Sequence, residues 1–233
     1  MKRFYREVAL GEEAAGFRVL LDGRAIRTQG GAAQVVPTAA LGQAMVMEWA
    51  DQGETIDPAR FTFRDMADYA IDVVAPDPAA TVAALVGYAG SDTLCYRGFP
   101  DEPIAARQTE QWEPLVCAAE ARFGVAFTRV SGLMPRPQPA ATLGAMLEHI
   151  ATLDPFALAA LRNLAGLAAS VIIGLAALEP DAPLGLLWEA ANLEELWQAE
   201  LWGKEPEAEA RRARQRADFF NAARFAELAR PAQ

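Results

Sequence analysis

The chain is poor in the residues that common enzyme mechanisms need. One histidine and two cysteines occur in 233 residues. A Ser–His–Asp or Cys–His arrangement requires an imidazole base. The sole candidate, His149, follows Glu148 late in a helical segment, with no serine or cysteine beside it. It reads as a surface or helix-end histidine. One histidine and two distant cysteines, Cys95 and Cys117, cannot form a zinc site without several carboxylates. Two cysteines also give no disulfide framework of the kind small secreted domains use, which points to a reducing compartment. Neither GxGxxG nor GxxxxGK followed by Ser or Thr is present, so a P-loop phosphate cradle is excluded. No cofactor and no metal is expected.

Basic charge is scarce as well. Twenty-one Lys and Arg face 31 Asp and Glu, a net charge of −10. That balance argues against nucleic acid, which needs a basic stripe, and against an anionic membrane surface. No apolar run is long enough to span a bilayer. The most apolar run, Leu164–Leu178, has fifteen residues without a charge where roughly 20 are needed. Its Gly166, Ser170 and Gly174, four apart, suit the close approach of another helix along one side of a buried central helix. The N-terminus, MKRFYREVAL, lacks a secretory h-region and an Arg- and Ser-rich transit composition. The expected location is the cytoplasm, although a processed organellar protein in the mitochondrial matrix would read the same way.

What the chain does have is apolar content, 52%, ample for a packed core in one large or two small domains. The first third carries strand signals. Phe17–Asp22 and Arg24–Thr28 flank Asp22-Gly23, a pair suited to a type I′ hairpin turn. Phe4–Leu10 and Gln34–Pro37 are candidate partner strands. Thr38 opens a helix running towards Gly53, and Asp57-Pro58 reads as a helix cap followed by a first-turn proline. Beyond residue 60 helical periods dominate, over Phe63–Val74, Ala79–Gly90, Ile104–Phe123, Ala140–Leu153, Phe156–Leu178, Leu184–Trp202 and Pro206–Leu228. Phe127–Val130 is a candidate isolated strand, and Met134–Pro139, with three prolines, a rigid connector. Glu207 and Arg211 are spaced for an i,i+4 ion pair. The expected fold is α+β: a small β-rich N-terminal domain with a covering helix (1–60), and a larger all-α C-terminal domain (61–233).

Leu193–Glu205, LEELWQAELWGKE, concentrates acids and tryptophans near the chain's end. On a helix Glu195, Gln198 and Trp202 fall on one stripe, and Leu193, Trp197 and Leu201 on its neighbour. Such a face suits recognition of another protein, or else two core tryptophans fringed by solvated acids. Carboxylates available for acid–base work are Glu48, Glu54, Asp57, Asp92, Glu194 and Glu195. Adjacent acids such as Glu194 and Glu195 project about 100° apart and do not easily share a substrate atom.

Four segments in order, EWADQGETIDP (Glu48–Pro58), SDTLCYR (Ser91–Arg97), QTEQWEPL (Gln108–Leu115) and LEELWQAELWG (Leu193–Gly203), together with KRFY and the VLLDGRAIRT hairpin, resemble a known family. It is the assembly chaperone of the ATP synthase F(1) sector that attends the alpha subunit, found in mitochondria and alpha-proteobacteria. Ser91 stands where the family more often has threonine. The resemblance implies a non-enzymatic chaperone that binds the unassembled alpha subunit, shields the surface destined for the beta subunit, and leaves as the hexamer forms. It implies a monomer when free, with no membrane insertion. On this reading Glu194, Glu195, Gln198 and Trp202 are the main candidates for the partner surface. Trp49 packs its helix onto the sheet. Asp92, Tyr96 and Arg97 either tie helices together or face the partner, and Gln108 and Trp112 share a helix face that could line the same groove. A carboxylate-dependent hydrolase using Glu194 or Asp92, and a general helical adaptor without a fixed client, are the alternatives.

Overall fold

The computed structural model describes residues 1–132, 134 and 136–231. Packing divides the chain into two units. The first comprises Met1–Pro78, Asp154–Ala160 and the chain end from Ala223, and the second comprises Ala79–Leu153 and Leu161–Ala222. The change in composition at residue 60 therefore does not mark the packing boundary. Thr62–Val74 is helical yet stays with the sheet unit, which also takes in two later helical pieces.

In the first unit β1 (Val8–Glu13), β2 (Gly16–Leu21) and β3 (Arg24–Ala25) form an antiparallel sheet in that order. The β2–β3 turn is made by Asp22 and Gly23, both with positive φ (48° and 76°), as the dipeptide predicts. β1 begins four residues later than the sequence suggests, because Asp22 captures the chain before it. The backbone N–H groups of Arg6 and Glu7 donate to its carboxylate at 3.0 and 2.8 Å. These bonds, that from Glu7 first, hold the Asp22 pKa below the ordinary value. Val36, in the expected fourth strand, makes only an isolated bridge to Phe17, with N–H···O contacts of 2.9 and 2.8 Å.

That bridge constrains Gly16. Its φ is +140°, and a Cβ there would meet the Val36 carbonyl oxygen at 2.3 Å. Gly16→Ala is expected to lower stability by about 2 kcal/mol or more, since both the dihedral and the contact oppose a side chain. A denaturant midpoint unchanged from wild type would show that this hairpin end can shift freely.

Helix α1 (Ala39–Ala50) is capped by Thr38, whose hydroxyl accepts from Leu41 N–H at 3.1 Å. It covers the sheet through Gly42, where a Cβ would lie 2.6 Å from Leu10 Cδ1. Trp49 is buried against Phe61 and Tyr5, with ring centroids 4.5 and 5.5 Å away. It is thus a packing residue. Glu48 turns to the N-terminus of α2 (Thr62–Tyr69), accepting from Phe63 and Arg64 N–H at 2.6 and 2.9 Å. It supplies the cap that Phe61 lacks, while burial raises its pKa. Asp57 accepts from Ala59 N–H at 3.0 Å to start the short 3-10 turn Pro58–Arg60. A π-helical turn, Ala70–Val74, continues α2.

The second unit holds α3 (Pro78–Gly90, apart from Pro78), α4 (Pro103–Phe123), α5 (Ala140–Ile150), α7 (Val171–Ala177), α8 (Leu184–Ala191) and α9 (Leu193–Trp202). Helices α6 (Pro155–Ala168) and α10 (Pro206–Ala229) each contribute residues to both units. Val130–Ser131, β5, is not isolated; it pairs in parallel with β4, Tyr96–Arg97. Of the proline connector, Pro135 lies outside the described residues.

The expected continuous helix over 156–178 is broken. Ala169 has φ +48°, and Ser170 caps α7, its hydroxyl accepting from Ile173 N–H at 3.1 Å. The small residues 166, 170 and 174 therefore do not form one stripe. Gly174 still serves close packing, since a Cβ there would lie 2.9 Å from Leu161 Cδ1 and 3.2 Å from the Ala165 nitrogen. A similar break at Asn192 separates α8 from α9. Among the described residues no single helix is long and apolar enough to cross a membrane.

Candidate interaction surface

Three of the four sequence segments converge in the second unit. Asp92 is fully buried at the break before α7. Its carboxylate accepts from Ser170 Oγ at 2.9 Å, Ile172 N–H at 3.0 Å and Leu94 N–H at 3.1 Å. It thus joins the 3-10 turn Thr93–Cys95 to the N-terminus of α7, where the helix dipole favours an anion. Burial nevertheless outweighs these bonds and pushes its pKa up to about 6.

The sign of this linkage is testable. A carboxyl whose pKa is higher folded than unfolded binds its proton more tightly in the native state. The associated stability is full below about pH 4 and is lost as pH rises through about 6. The stability difference between wild type and Asp92→Asn is therefore expected to shift against wild type by on the order of 2–3 kcal/mol between pH 4 and 6.5. A pH-independent difference would show that Asp92 titrates normally.

Arg97, mostly buried, donates from Nε to the Leu94 carbonyl at 3.2 Å and pairs with Glu113 at 2.8 Å. Glu113 also binds Arg129 at 2.7 Å, and Arg129 bridges to Glu120. Hydrogen bonding to Arg129 lowers the pKa of both carboxylates. This chain of charges ties β4 and the strand after α4 to the α4 surface. Gln108, 1% exposed, accepts from Gly98 N–H at 2.8 Å and donates to Glu194 at 2.8 Å. Trp112 has no exposed surface, and its indole N–H donates to the Ala190 carbonyl at 2.8 Å, at the end of α8.

Asp92, Gln108 and Trp112 accordingly offer no face to a partner, and Arg97 little. They belong to the interior scaffold: Asp92 holds the start of α7, Arg97 ties β4 to α4, Gln108 bonds Glu194 of α9, and Trp112 bonds the end of α8. Exposed apolar surface lies further along α9 instead. Trp202 is 78% exposed and Leu201 56% exposed. Gln198 and Glu194 are exposed on the same helix, giving a line of residues 194, 198, 201 and 202. Glu195 departs from that line. It is half-buried, accepts from Arg211 at 3.3 Å and forms an ion pair with Arg212 at 3.1 Å. Arg211 thus reaches α9 rather than closing the expected pair with Glu207. Trp197 is half-buried beneath the Arg107 guanidinium, 4.3 Å above its ring.

Residues that, Leu193 apart, were not singled out from sequence complete the region. Arg107, Trp188, Leu193, Leu196, Arg212 and Arg216 line a groove of about 390 Å³ along α9, with Glu189 and Glu200 among its walls. The available signal was a run of arginines, 211, 212, 214 and 216, in an acidic chain. Its contribution to one groove depends on α4, α8, α9 and α10 meeting.

Five of the six candidate carboxylates are engaged separately. Glu48 and Asp57 cap helices, Asp92 is sealed from solvent, and Glu194 and Glu195 turn to different partners. Among the described residues no group of three or more His, Cys, Asp or Glu could hold a metal ion. His149 lies against Phe123, ring centroids 4.5 Å apart and planes tilted by 47°, with burial lowering its pKa. The region can offer an apolar anchor, a polar line and a charged groove.

Comparison with known proteins agrees with this architecture. Residues 2–120 match the family model described as ATP12 chaperone protein. The fold superimposes on Atp12 from Paracoccus denitrificans with a TM-score of 0.92 at 36% identity, covering 98% of both chains. A mutant of the same protein carrying a lysine in place of an aspartate gives the same values. The Atu1473 protein of Agrobacterium tumefaciens, a candidate chaperone, matches with a TM-score of 0.91 at 35% identity, over 98% of this chain and 85% of that one. On the extent of these matches, the chain belongs to the ATP12 chaperone family.

Proposed function

We propose that this chaperone binds the unassembled alpha subunit of the ATP synthase F(1) sector and yields it when the beta subunit docks. The observation that carries the reading is Trp202, 78% exposed beside Leu201 on a helix held from behind by Gln108, Arg211 and Arg212. Exposed tryptophan is unfavourable in water and over-represented at binding hot spots. Its helix is already fixed, so little ordering entropy opposes binding.

An unassembled subunit presents a large apolar interface that invites aggregation. Covering it requires an interface of standard size, about 1,200–2,000 Å² in total. Release requires that chaperone binding be weaker than the native subunit contacts it replaces. The chaperone acts as a monomer, without hydrolysing ATP, in the compartment where alpha is made or delivered: the bacterial cytoplasm, or the mitochondrial matrix for an organellar form.

Co-expression separates this from a general adaptor. Soluble alpha is expected to rise with the chaperone while soluble beta does not. Equal rescue of both subunits would remove the assigned client.

A further inference from the structure

Strand β1 leaves one of its two edges without a partner. It is terminal in the sheet order, and among the described residues no isolated bridge or backbone hydrogen bond reaches its outer side. Which groups face outward is fixed from β2. Phe17 exchanges both its backbone bonds with Val36, and the Val19 carbonyl accepts from Ile26 N–H at 3.3 Å. Their cross-strand neighbours on β1, Glu12 and Leu10, therefore turn their own N–H and C=O groups away from β2. Val8, opposite Leu21, follows by the same two-residue period. The outer edge thus offers the donors and acceptors of Val8, Leu10 and Glu12 at intervals of roughly 7 Å.

The devices that usually blunt such an edge are missing. Val8–Glu13, VALGEE, contains neither proline nor lysine, and its six residues pair with β2 in unbroken register, without a bulge. Leu10 points towards α1 at Gly42, so Val8, Leu10 and Glu12 border the α1 side and Ala9 and Gly11 the other. An added strand would set apolar side chains beside Val8 and Leu10, and would meet the small residues Ala9 and Gly11 on the opposite face.

Resting on the reading of α9 given above, we infer that β1 takes an extended, alternately apolar segment of the unassembled alpha subunit as the next strand of its sheet. An unpaired edge on a subunit awaiting its neighbour templates aggregation, and pairing it with β1 satisfies both backbones at once. A second copy of this chain is a poorer occupant. Two six-residue edges bury far less than the roughly 1,000 Å² that a stable dimer needs. The same small contact suffices for a client already held at α9, because tethering raises the effective concentration of its segment to the order of millimolar. The edge adds hold while α9 is engaged and lets go once the beta subunit displaces that contact.

Amide hydrogen exchange of the intact chaperone, with and without purified alpha subunit, tests this. The N–H groups of Val8, Leu10 and Glu12 are expected to exchange freely in the unbound protein and to slow by about tenfold or more when alpha binds. Glu12→Pro removes an outward donor and no β2 bond; it is expected to weaken capture about tenfold, while Glu12→Ala keeps it. The exchange readout needs no variant, so it decides the matter even if Glu12→Pro fails to fold. Unchanged exchange at the three amides while alpha is captured, with capture lost in Trp202→Ala, overturns the strand pairing and leaves the α9 reading intact. Full capture by a folded Glu12→Pro variant does the same. Absence of capture by wild type overturns both readings together. Slowed exchange at these amides in the chaperone alone, growing with its concentration, assigns the edge to a second copy and overturns the client segment.

Discussion

Trp202→Ala is expected to weaken capture of the alpha subunit by about 2 kcal/mol, roughly thirtyfold, with no loss of folding stability. At 78% exposure the indole buries little against its own chain, so its removal opens no cavity. Matching thermal transitions with a thirtyfold affinity difference would place the hot spot on α9. Equal capture would remove Trp202 from the interface. Charge reversal at Glu195 is a less clean test of the same surface. Arg211 and Arg212 both bind that carboxylate, and a lysine there would repel them and loosen α9 from α10. Gln198→Lys probes the same face without that complication, because Gln198 is exposed.

Trp112→Ala is expected to have the opposite signature. Deleting a fully buried indole leaves a large cavity and costs about 3–5 kcal/mol. It also strips the Ala190 carbonyl of its donor, next to the break that starts α9. Trp112→Phe keeps most of the volume and loses the hydrogen bond, for an expected cost of about 1–2 kcal/mol. Denaturant titration of the two variants measures both terms. If Trp112→Ala lowered capture while leaving stability unchanged, the scaffold role assigned to the segment around it would fail.

These two tryptophans show how far the sequence could be read. Both sit in short segments with acids and a glutamine, and both resembled partner-binding positions. Tertiary packing around α4 encloses Trp112, whose indole bonds the Ala190 carbonyl of α8, while the position of α9 leaves Trp202 in water. The same holds for the acids. Glu194 and Glu195 are neighbours in sequence, yet one meets Gln108 and the other meets arginines of α10. Neither distinction is encoded within a helical turn.

Local interactions, by contrast, were legible. The Asp22-Gly23 turn, the Thr38 cap and the Asp57-Pro58 start each depend on residues within three positions, so the chain states them directly. The apolar periods located the helices, and the ordered segments identified the family. The breaks at Ala169 and Asn192 were not legible, because apolar periodicity runs through both. The first is held by Asp92, 78 residues from Ser170, and the second adjoins a carbonyl bound by Trp112 from another helix. Composition and local pattern determined an α+β fold poor in catalytic groups. Long-range packing decided which acids are caps, which tryptophan is core, and which face of α9 remains available, since solvent exposure is a property of neighbours brought together by the fold.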